Sequence, residues 1–248
     1  MNHKFQVLSN IVIAHKTYEM KLLGDTTMIK NPGQFINIKI DDHYQNFLRR
    51  PISISSYKDG IITIIYKIFG SGTKRLSQKK RCDELDVLSP LGNGFTVQNT
   101  YQKQLLIGGG VGVPPLLGVA EELHKKNIPF DVILGFNNEH DVFLEASFRS
   151  LGANVYVATM DGSYGYKGHV LQVIEQLNIE FDYYYACGPE KMLHALVKTG
   201  YKGQLSFEER MGCGFGACMG CSHKTIDSYK RICKEGPVLE SNEVWINV

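Results

Sequence analysis

Short runs of alternating or β-branched apolar residues fill the first part of the chain, up to about Gln98. Two of these runs are residues 35–40 (FINIKI) and 61–66 (IITIIY), and turns rich in Gly, Asp and Pro separate them. Alternation with a period of two is typical of strands that bury one face. The pattern predicts an antiparallel β-barrel or sandwich over this part of the chain.

The pattern changes at Lys103, where an apolar strand is followed by glycines and then by a helical stretch. The predicted strands are residues 104–107, 130–134, 154–158 and 183–186, and the predicted helices are residues 116–126, 170–177 and 190–199. Strands that alternate with helices are typical of βαβ units. This part of the chain is therefore predicted to form a parallel sheet with helices on its faces.

After Phe207 the chain is rich in Gly and Cys and shows little periodicity. Such a segment is expected to be organised by a ligand rather than by a hydrophobic core of its own. The predicted division is therefore a β-barrel domain at 1–98, an α/β domain at 99–206 and a small module at 207–248.

Composition and charge exclude several classes of protein. The chain has 248 residues, 43% of them hydrophobic, and a formal net charge of +2. This is enough apolar material for one large or two medium domains. The longest basic run, 79–81, is too short for a nucleic-acid or membrane surface, and there is no apolar stretch long enough to span a bilayer. We expect a soluble, cytoplasmic protein.

The six cysteines are unevenly distributed. Cys82 and Cys187 stand alone, whereas the other four lie close together near the C-terminus. In a reducing compartment thiols serve metals or catalysis rather than disulfides. The four clustered cysteines are Cys213, Cys218, Cys221 and Cys233.

Their C-x4-C-x2-C…C spacing is that of plant-type [2Fe-2S] ligation, in which four thiolates hold two irons. The glycines between them suit a loop that wraps tightly round a cluster. A structural zinc site is the alternative, although zinc usually pairs two short Cys knuckles and only one is present. A disulfide is less favoured still. His223 could replace one thiolate, but with four cysteines available it is expected to be a surface residue.

A glycine-rich turn lies between the predicted strand at 104–107 and the helix that follows. Glycines there let backbone N–H groups approach a pyrophosphate. The turn departs from the G-x-G-x-x-G fingerprint because Pro115 stands at the third glycine, so a purely structural turn remains the alternative. The residues assigned to cofactor binding are Gly108, Gly109, Gly110, Gly112 and Pro114.

Two further segments carry candidate chemistry. Cys187-Gly188-Pro189 follows a buried strand, and ligands of open α/β sheets bind at the carboxyl ends of strands. A nicotinamide ring could lie there, although a cysteine in this position is often only a small core residue. In the segment Arg50-Pro51-Ile52-Ser53, the arginine could pair with a cofactor phosphate and the serine could hydrogen-bond a ring, or both could belong to an ordinary barrel loop.

Taken in order, these segments resemble the ferredoxin-NADP reductase superfamily, which joins a Greek-key flavin-binding barrel to a nucleotide-binding α/β domain. The resemblance covers nearly the whole chain. The matching segments are residues 50–53, 70–73, 89–95, 108–115 and 187–189. Within the superfamily, residues 208–218 resemble the electron-transfer subunits of class B dihydroorotate dehydrogenase.

The resemblance implies FAD, a [2Fe-2S] cluster and NAD as cofactors. It also implies an FMN-containing catalytic partner that oxidises dihydroorotate to orotate, in a heterotetramer of two plus two subunits. Electrons would pass from the partner's FMN to the cluster, then to FAD and finally as hydride to NAD. Arg50, Ser53, Gly72 and Thr73 would hold FAD, Lys67, Ile68 and Phe69 would run along its ring, and Cys187 would flank the nicotinamide as the catalytic residue.

Two observations qualify the resemblance. Ile52 stands where the superfamily often has an aromatic residue, so stacking on one flavin face must come from elsewhere or be absent. Residues 137–141 include no Arg or Lys to pair with a 2′-phosphate, which favours NAD over NADP. The alternatives are a ferredoxin:NADP or sulfide dehydrogenase type of reductase subunit, and a non-catalytic iron-sulfur redox sensor.

Overall fold

A computed structural model describes residues 2–41 and 46–246. Residues 1 and 42–45 of the domain predicted at 1–98 lie outside the described residues. The same holds for residues 247 and 248 of the module predicted at 207–248. Within the described part, every helix is too short or too polar to cross a bilayer.

The first unit is a closed six-stranded antiparallel barrel with strand order β1-β2-β5-β4-β3-β6. Its apolar alternation puts one row of side chains inside, including Met20, Ile36, Ile38, Ile62 and Ile64, which are fully buried. The predicted Greek-key barrel is confirmed. Its elements are β1 (Asn2–Ala14), β2 (Thr17–Leu23), β3 (Phe35–Lys39), β4 (Arg50–Lys58), β5 (Ile61–Lys67), the helix α1 (Ser71–Leu76) and β6 (Glu84–Leu91).

The second unit is a sheet with strand order β10-β9-β8-β7-β11-β12-β15, parallel except for β15. Continuous apolar strands such as β7 and β11 are buried throughout, as expected when helices cover both faces. The elements are β7 (Gln104–Gly109), α2 (Pro114–Lys125), β8 (Phe130–Phe136), α3 (Glu145–Ser150), β9 (Asn154–Thr159), β10 (Tyr166–Lys167), α4 (Val170–Gln176), β11 (Tyr183–Cys187), α5 (Glu190–Lys198) and β12 (Gly203–Ser206).

The C-terminal segment sits between the barrel and the sheet. It forms a hairpin of β13 (Ser222–Lys224) and β14 (Tyr229–Arg231) and then the strand β15 (Val238–Glu240). Cys221, Ile232 and Cys233 pack in one apolar cluster with Phe35 and Leu91 of the barrel. The cysteine-rich segment therefore packs on the outer face of strands β3 and β6.

Candidate functional site

The strand order places a crevice between the carboxyl ends of β7 and β11. The chain runs from β7 outward through β8 to one edge of the sheet, whereas β11 and β12 lie on the other side. This reversal is the topological switch point at which open α/β sheets bind ligands. The loops after the two strands are Gly110–Gly112 and Gly188-Pro189, which are two of the segments predicted from sequence.

A pocket of about 610 Å³ opens at this point. It brings together the barrel, the glycine-rich turn and the segment after β11. The predicted residues that line it are Lys67, Phe69, Gly109, Gly110, Gly112, Gly188 and Pro189. A pocket of this size can hold one end of a dinucleotide together with the ring of a second cofactor.

Glycine is required where the two loops meet. A Cβ on Gly112 would lie 2.4 Å from the carbonyl carbon and oxygen of Cys187. Only a residue without a side chain allows this approach. The glycine-rich turn is thus packed tightly between the ends of β7 and β11. Its glycines Gly109, Gly110 and Gly112 also line the pocket.

Three residues predicted for the nucleotide site do not line the pocket. Gly108 is inside β7, Pro114 begins α2, and Cys187 is only 3% exposed. Burial, together with the nearby charge of Glu208, raises the pKa of the Cys187 thiol to about 12. The thiol therefore stays protonated at neutral pH, and its role beside a nicotinamide stays a prediction.

The segment predicted to bind the flavin makes polar contacts with the neighbouring loop residues. The Arg50 side chain donates to Asn46 Oδ1 at 3.1 Å. Its guanidinium covers Gly72, where a Cβ would lie 2.4 Å from Arg50 Nε. Thr73 Oγ1 accepts the backbone N–H of Phe69 at 3.0 Å. An arginine seated over a glycine turn fits a phosphate ligand.

The other flavin residues lie along the adjoining strand ends. Pro51 and Ser53 are half-buried in β4, and Ile52 packs partly against the barrel core. The Ile68 backbone N–H donates to Lys16 O at 2.9 Å. The Phe69 side chain is 78% exposed at the pocket. A solvent-exposed aromatic side chain beside a pocket is a suitable surface on which a cofactor ring could pack.

An ion pair that the sequence did not indicate joins the barrel to the nucleotide sheet. Lys67 Nζ lies 2.6 Å from Asp141 Oδ1, and His15 Nδ1 lies 3.8 Å from the same oxygen. Asp141 is buried and lines the pocket with Lys67. The pair fixes the two units against each other at the pocket mouth. Its partners are 74 positions apart, so no local pattern could reveal it.

Replacing Asp141 by asparagine should loosen this junction. We expect a loss of roughly 1.5–3 kcal/mol in the free energy of unfolding, because a hydrogen bond to a charged group is lost at a buried carboxylate. Denaturant unfolding and NADH oxidation by an artificial acceptor measure the effect. Glu180→Gln, which breaks the exposed Lys103 pair, is the control and should leave the free energy of unfolding nearly unchanged, because exposed ion pairs contribute little to stability. Equal losses in both variants would contradict the account.

Glu208 is a second pocket residue that sequence reasoning left without a role. It follows β12 and Phe207 and faces the pocket, where burial raises the pKa of its carboxyl. Its charge also acts on Cys187. A charged residue just beyond the carboxyl end of a parallel strand was the available signal.

The four clustered cysteines come together in two pairs. The Cys218 thiol lies 3.4 Å from Cys213 Sγ, and the Cys233 backbone N–H points at Cys221 Sγ at 3.5 Å. Within residues 2–41 and 46–246, no three His, Cys, Asp or Glu side chains converge as a single-ion site. Two thiol pairs fit a binuclear cluster in which each iron takes two sulfurs.

The loop around Cys213 favours the thiolate form. Burial pushes the pKa of the Cys213 thiol up, but hydrogen bonds from the backbone N–H groups of Cys218, Phe215 and Ala217 and from the Cys218 thiol outweigh it. The net result lowers the pKa to about 6. Metals bind the thiolate, so the surroundings of Cys213 fit a metal-bound sulfur.

Comparison with known proteins follows the same division. Residues 208–245 match the family model described as the iron-sulfur cluster binding domain of dihydroorotate dehydrogenase B, and residues 106–198 match the oxidoreductase NAD-binding domain. The dihydroorotate dehydrogenase B (NAD(+)) electron transfer subunits of Fusobacterium nucleatum and Bacillus pumilus are 46% and 45% identical, each over 97% of both chains. The chain belongs to this family.

Among solved structures, the chain is similar to one described as an NADH-dependent reduced ferredoxin-NADP oxidoreductase studied for flavin-based electron bifurcation. The TM-score is 0.87 at 28% identity, over 97% of this chain and 89% of the other. The FAD/NAD binding domain of a Vibrio cholerae nitric oxide dioxygenase has a TM-score of 0.68 at 23% identity over 79% and 91%, which shows the fold alone. The predicted cofactors, FAD, a [2Fe-2S] cluster and NAD, agree with these matches.

The zinc and disulfide alternatives are set aside. All four clustered cysteines fall inside the iron-sulfur match of the dihydroorotate dehydrogenase B family, and all six cysteines of the chain are free thiols in the structure. His223 is buried rather than at the surface, and its Nδ1 lies 3.0 Å from Glu209 Oε1.

In this family member, Arg231 clamps the cysteine loop. Its Nη1 donates to Gly216 O at 2.6 Å, and its Nε donates to Glu235 Oε2 at 3.0 Å. Arg231→Gln should therefore lower the retained iron and sulfide by about tenfold after exposure to air, the scale of outer-shell losses at metal sites. Iron and acid-labile sulfide analysis measures this. Lys230→Gln, which breaks only the Glu243 pair, should retain its cluster, and equal losses would contradict the clamp.

Proposed function

We propose that this chain is the electron-transfer subunit of a class B dihydroorotate dehydrogenase in the synthesis of pyrimidine nucleotides. It accepts electrons from a catalytic partner whose FMN oxidises dihydroorotate to orotate, and it passes them to NAD+. One observation carries the proposal: the cysteine loop rests on strand β3, beside the flavin segment in β4, in the same chain that forms the nucleotide crevice.

The cofactors would supply hydride exchange between flavin and nicotinamide and single-electron transfer at the cluster. The chain's own residues bind and orient. Arg50, Gly72 and Thr73 hold the flavin phosphates, and the Lys67 to Phe69 segment runs along the ring. Gly109 to Gly112 and Gly188-Pro189 hold the nicotinamide nucleotide against it. The cluster ligands are Cys213, Cys218, Cys221 and Cys233.

Cys187 and Glu208 would then lie at the nicotinamide end of the crevice. The Cys187 thiol is protonated, so it acts by packing rather than as a base. We divide the chain into a flavin domain at 1–98, a nucleotide domain at 99–206 and a cluster module at 207–248. The use of the four clustered cysteines as metal ligands rather than in disulfides supports a reducing compartment, the cytoplasm.

The partner is proposed to dock on the cluster module. Four large apolar side chains of this module are at least half exposed, and they lie in the cysteine loop and at the turn of the β13–β14 hairpin: Phe215, Met219, Ile226 and Tyr229. Several exposed large apolar side chains in one small module favour an interaction surface there. Phe215 and Met219 lie between the cysteines in the sequence, where electrons from the partner would enter the chain. The assembly implied by the family resemblance is two such subunits with two catalytic ones.

Co-purification tests the proposal. The tagged chain, isolated anaerobically from its own host, should carry the FMN subunit with it and reduce NAD+ when dihydroorotate is added. Tyr229→Glu should weaken recovery of the partner, whereas Val12→Glu, at a barrel residue of similar exposure, should not. A wild-type preparation that oxidises NADH with artificial acceptors but ignores dihydroorotate would overturn the pyrimidine assignment.

A second candidate is a reductase subunit that serves a different redox partner. It is favoured by the fold match with the ferredoxin-NADP oxidoreductase at a TM-score of 0.87. The identity of 28% to that chain is well below the 46% to the Fusobacterium nucleatum subunit. Reduction of ferredoxin by NADPH, without any response to dihydroorotate, would favour this candidate.

A further inference from the structure

The outer face of strand β3 carries a buried polar side chain to which the proposed function gives no role. Side chains alternate along a strand. Ile36 and Ile38 belong to the barrel core, so Phe35 and Asn37 face outward, and Phe35 packs with the cysteine-rich module. Outward positions of an antiparallel sheet commonly meet water. Asn37 is only 1% exposed, because the module covers it.

The Asn37 side chain is seated against the cysteine loop. Gly214 has a φ of +79°, and a Cβ at that position would lie 2.2 Å from Asn37 Nδ2. The amide thus fills the space that any other residue at position 214 would need. Gly214 directly follows Cys213, so a barrel side chain contacts the residue next to a cluster ligand.

The amide is costly to bury in this position. Asn37 Oδ1 is buried and has no hydrogen-bond partner among the described residues. An unsatisfied buried acceptor destabilises the folded state, and such groups are uncommon unless they serve another purpose. The backbone around it is fixed, because Arg49 Nη1 lies 3.4 Å from Asn37 O and pairs with Asp86 on β6. The side chain is therefore held at the loop.

Asn37 also adjoins the flavin segment. In the β3–β4 ladder it is paired with Pro51, which lies between Arg50 and the rest of that segment. A single residue therefore touches the strand proposed to carry FAD and the loop proposed to carry the cluster.

We propose that Asn37 is a positioning residue for electron transfer between FAD and the cluster. Its amide packs against the Gly214 backbone on the outer face of β3 and would supply an N–H donor next to the cluster ligand Cys213. This inference rests on the proposed function. Hydrogen bonds to cluster sulfur stabilise the more negative, reduced state and raise its reduction potential. Loss of the donor should lower that potential.

The test uses the full chain with its cofactors, co-produced with the catalytic partner. Asn37→Leu removes the amide, Asn37→Asp keeps its size but removes both N–H donors, and Asn10→Leu is a control that removes barrel hydrogen bonds to Leu76 O and Lys79 O. We expect both Asn37 variants to shift the electron paramagnetic resonance (EPR) signal of the reduced cluster and lower its midpoint potential. Dihydroorotate-dependent NAD+ reduction should fall by about tenfold.

NADH oxidation by a flavin-directed dye should stay normal in the Asn37 variants, because that route does not use the cluster. The control should match the wild type in its EPR signal and potential. If Asn37→Leu does not fold, Asn37→Asp decides the question. Wild-type signals and potentials in a folded Asn37 variant would overturn the inference. A wild-type chain without any [2Fe-2S] signal would instead overturn the proposed function.

Discussion

Replacing Cys218 by serine should abolish electron transfer to and from the catalytic partner while leaving the flavin side intact. Cys218 lies 3.4 Å from Cys213 Sγ and gives that sulfur a backbone N–H. Its loss removes one ligand and disturbs the other thiol of the pair. We expect dihydroorotate-dependent NAD+ reduction to fall by about 100-fold, at the upper end of what even outer-shell changes cost at metal sites.

NADH oxidation by artificial acceptors should persist in this variant, since the nucleotide crevice and the flavin segment lie outside the cysteine loop. Cys82→Ser is the matched control, because Cys82 is an exposed thiol in the barrel. Normal transfer to the partner in Cys218→Ser would show that electrons bypass the cluster. Loss of both activities would show that the module is needed for the whole fold instead.

Replacing Gly112 by alanine should damage the nucleotide crevice most. The new Cβ would meet the Cys187 backbone at 2.4 Å, and backbone atoms cannot turn aside as a side chain can. The ends of β7 and β11 must then separate. We expect a stability loss of about 1–3 kcal/mol. A displacement of about 1 Å at the crevice can slow hydride transfer by about 100-fold.

Gly152→Ala separates stability from function in this experiment. Gly152 has a φ of +86° and open space around it, so alanine there is strained without a clash. It should cost about 1–2 kcal/mol but leave NADH affinity unchanged. Stopped-flow reduction of the flavin by NADH compares the two variants. Equal hydride-transfer rates in both would contradict the assigned role of the glycine-rich turn.

The sequence predicted the main elements because their patterns are local. The alternation at 35–40 and 61–66 became β3 and β5, and the helices predicted at 170–177 and 190–199 became α4 and α5, each one residue shorter. Helices α1 and α3 were not predicted. Each has only six residues, which is too short for a helical repeat to stand out.

The long-range part of the site could not be read from the sequence. Lys67 and Asp141, or Asn37 and Gly214, meet only because the barrel, sheet and module are docked on one another. The strand β15, which comes from the cysteine-rich segment, pairs with β12 at the edge of the sheet. Spacing identified the four cysteines, but their arrangement in two pairs depends on the folded loop.

Anaerobic EPR of the complex with its catalytic partner tests the central claim most directly. NADH should reduce the [2Fe-2S] cluster even when this chain is isolated from its partner. Dihydroorotate should reduce the cluster only when the FMN subunit is present. The account predicts the same cluster signal from both directions. A cluster that NADH does not reduce, or that dihydroorotate leaves oxidised in the assembled complex, would contradict it.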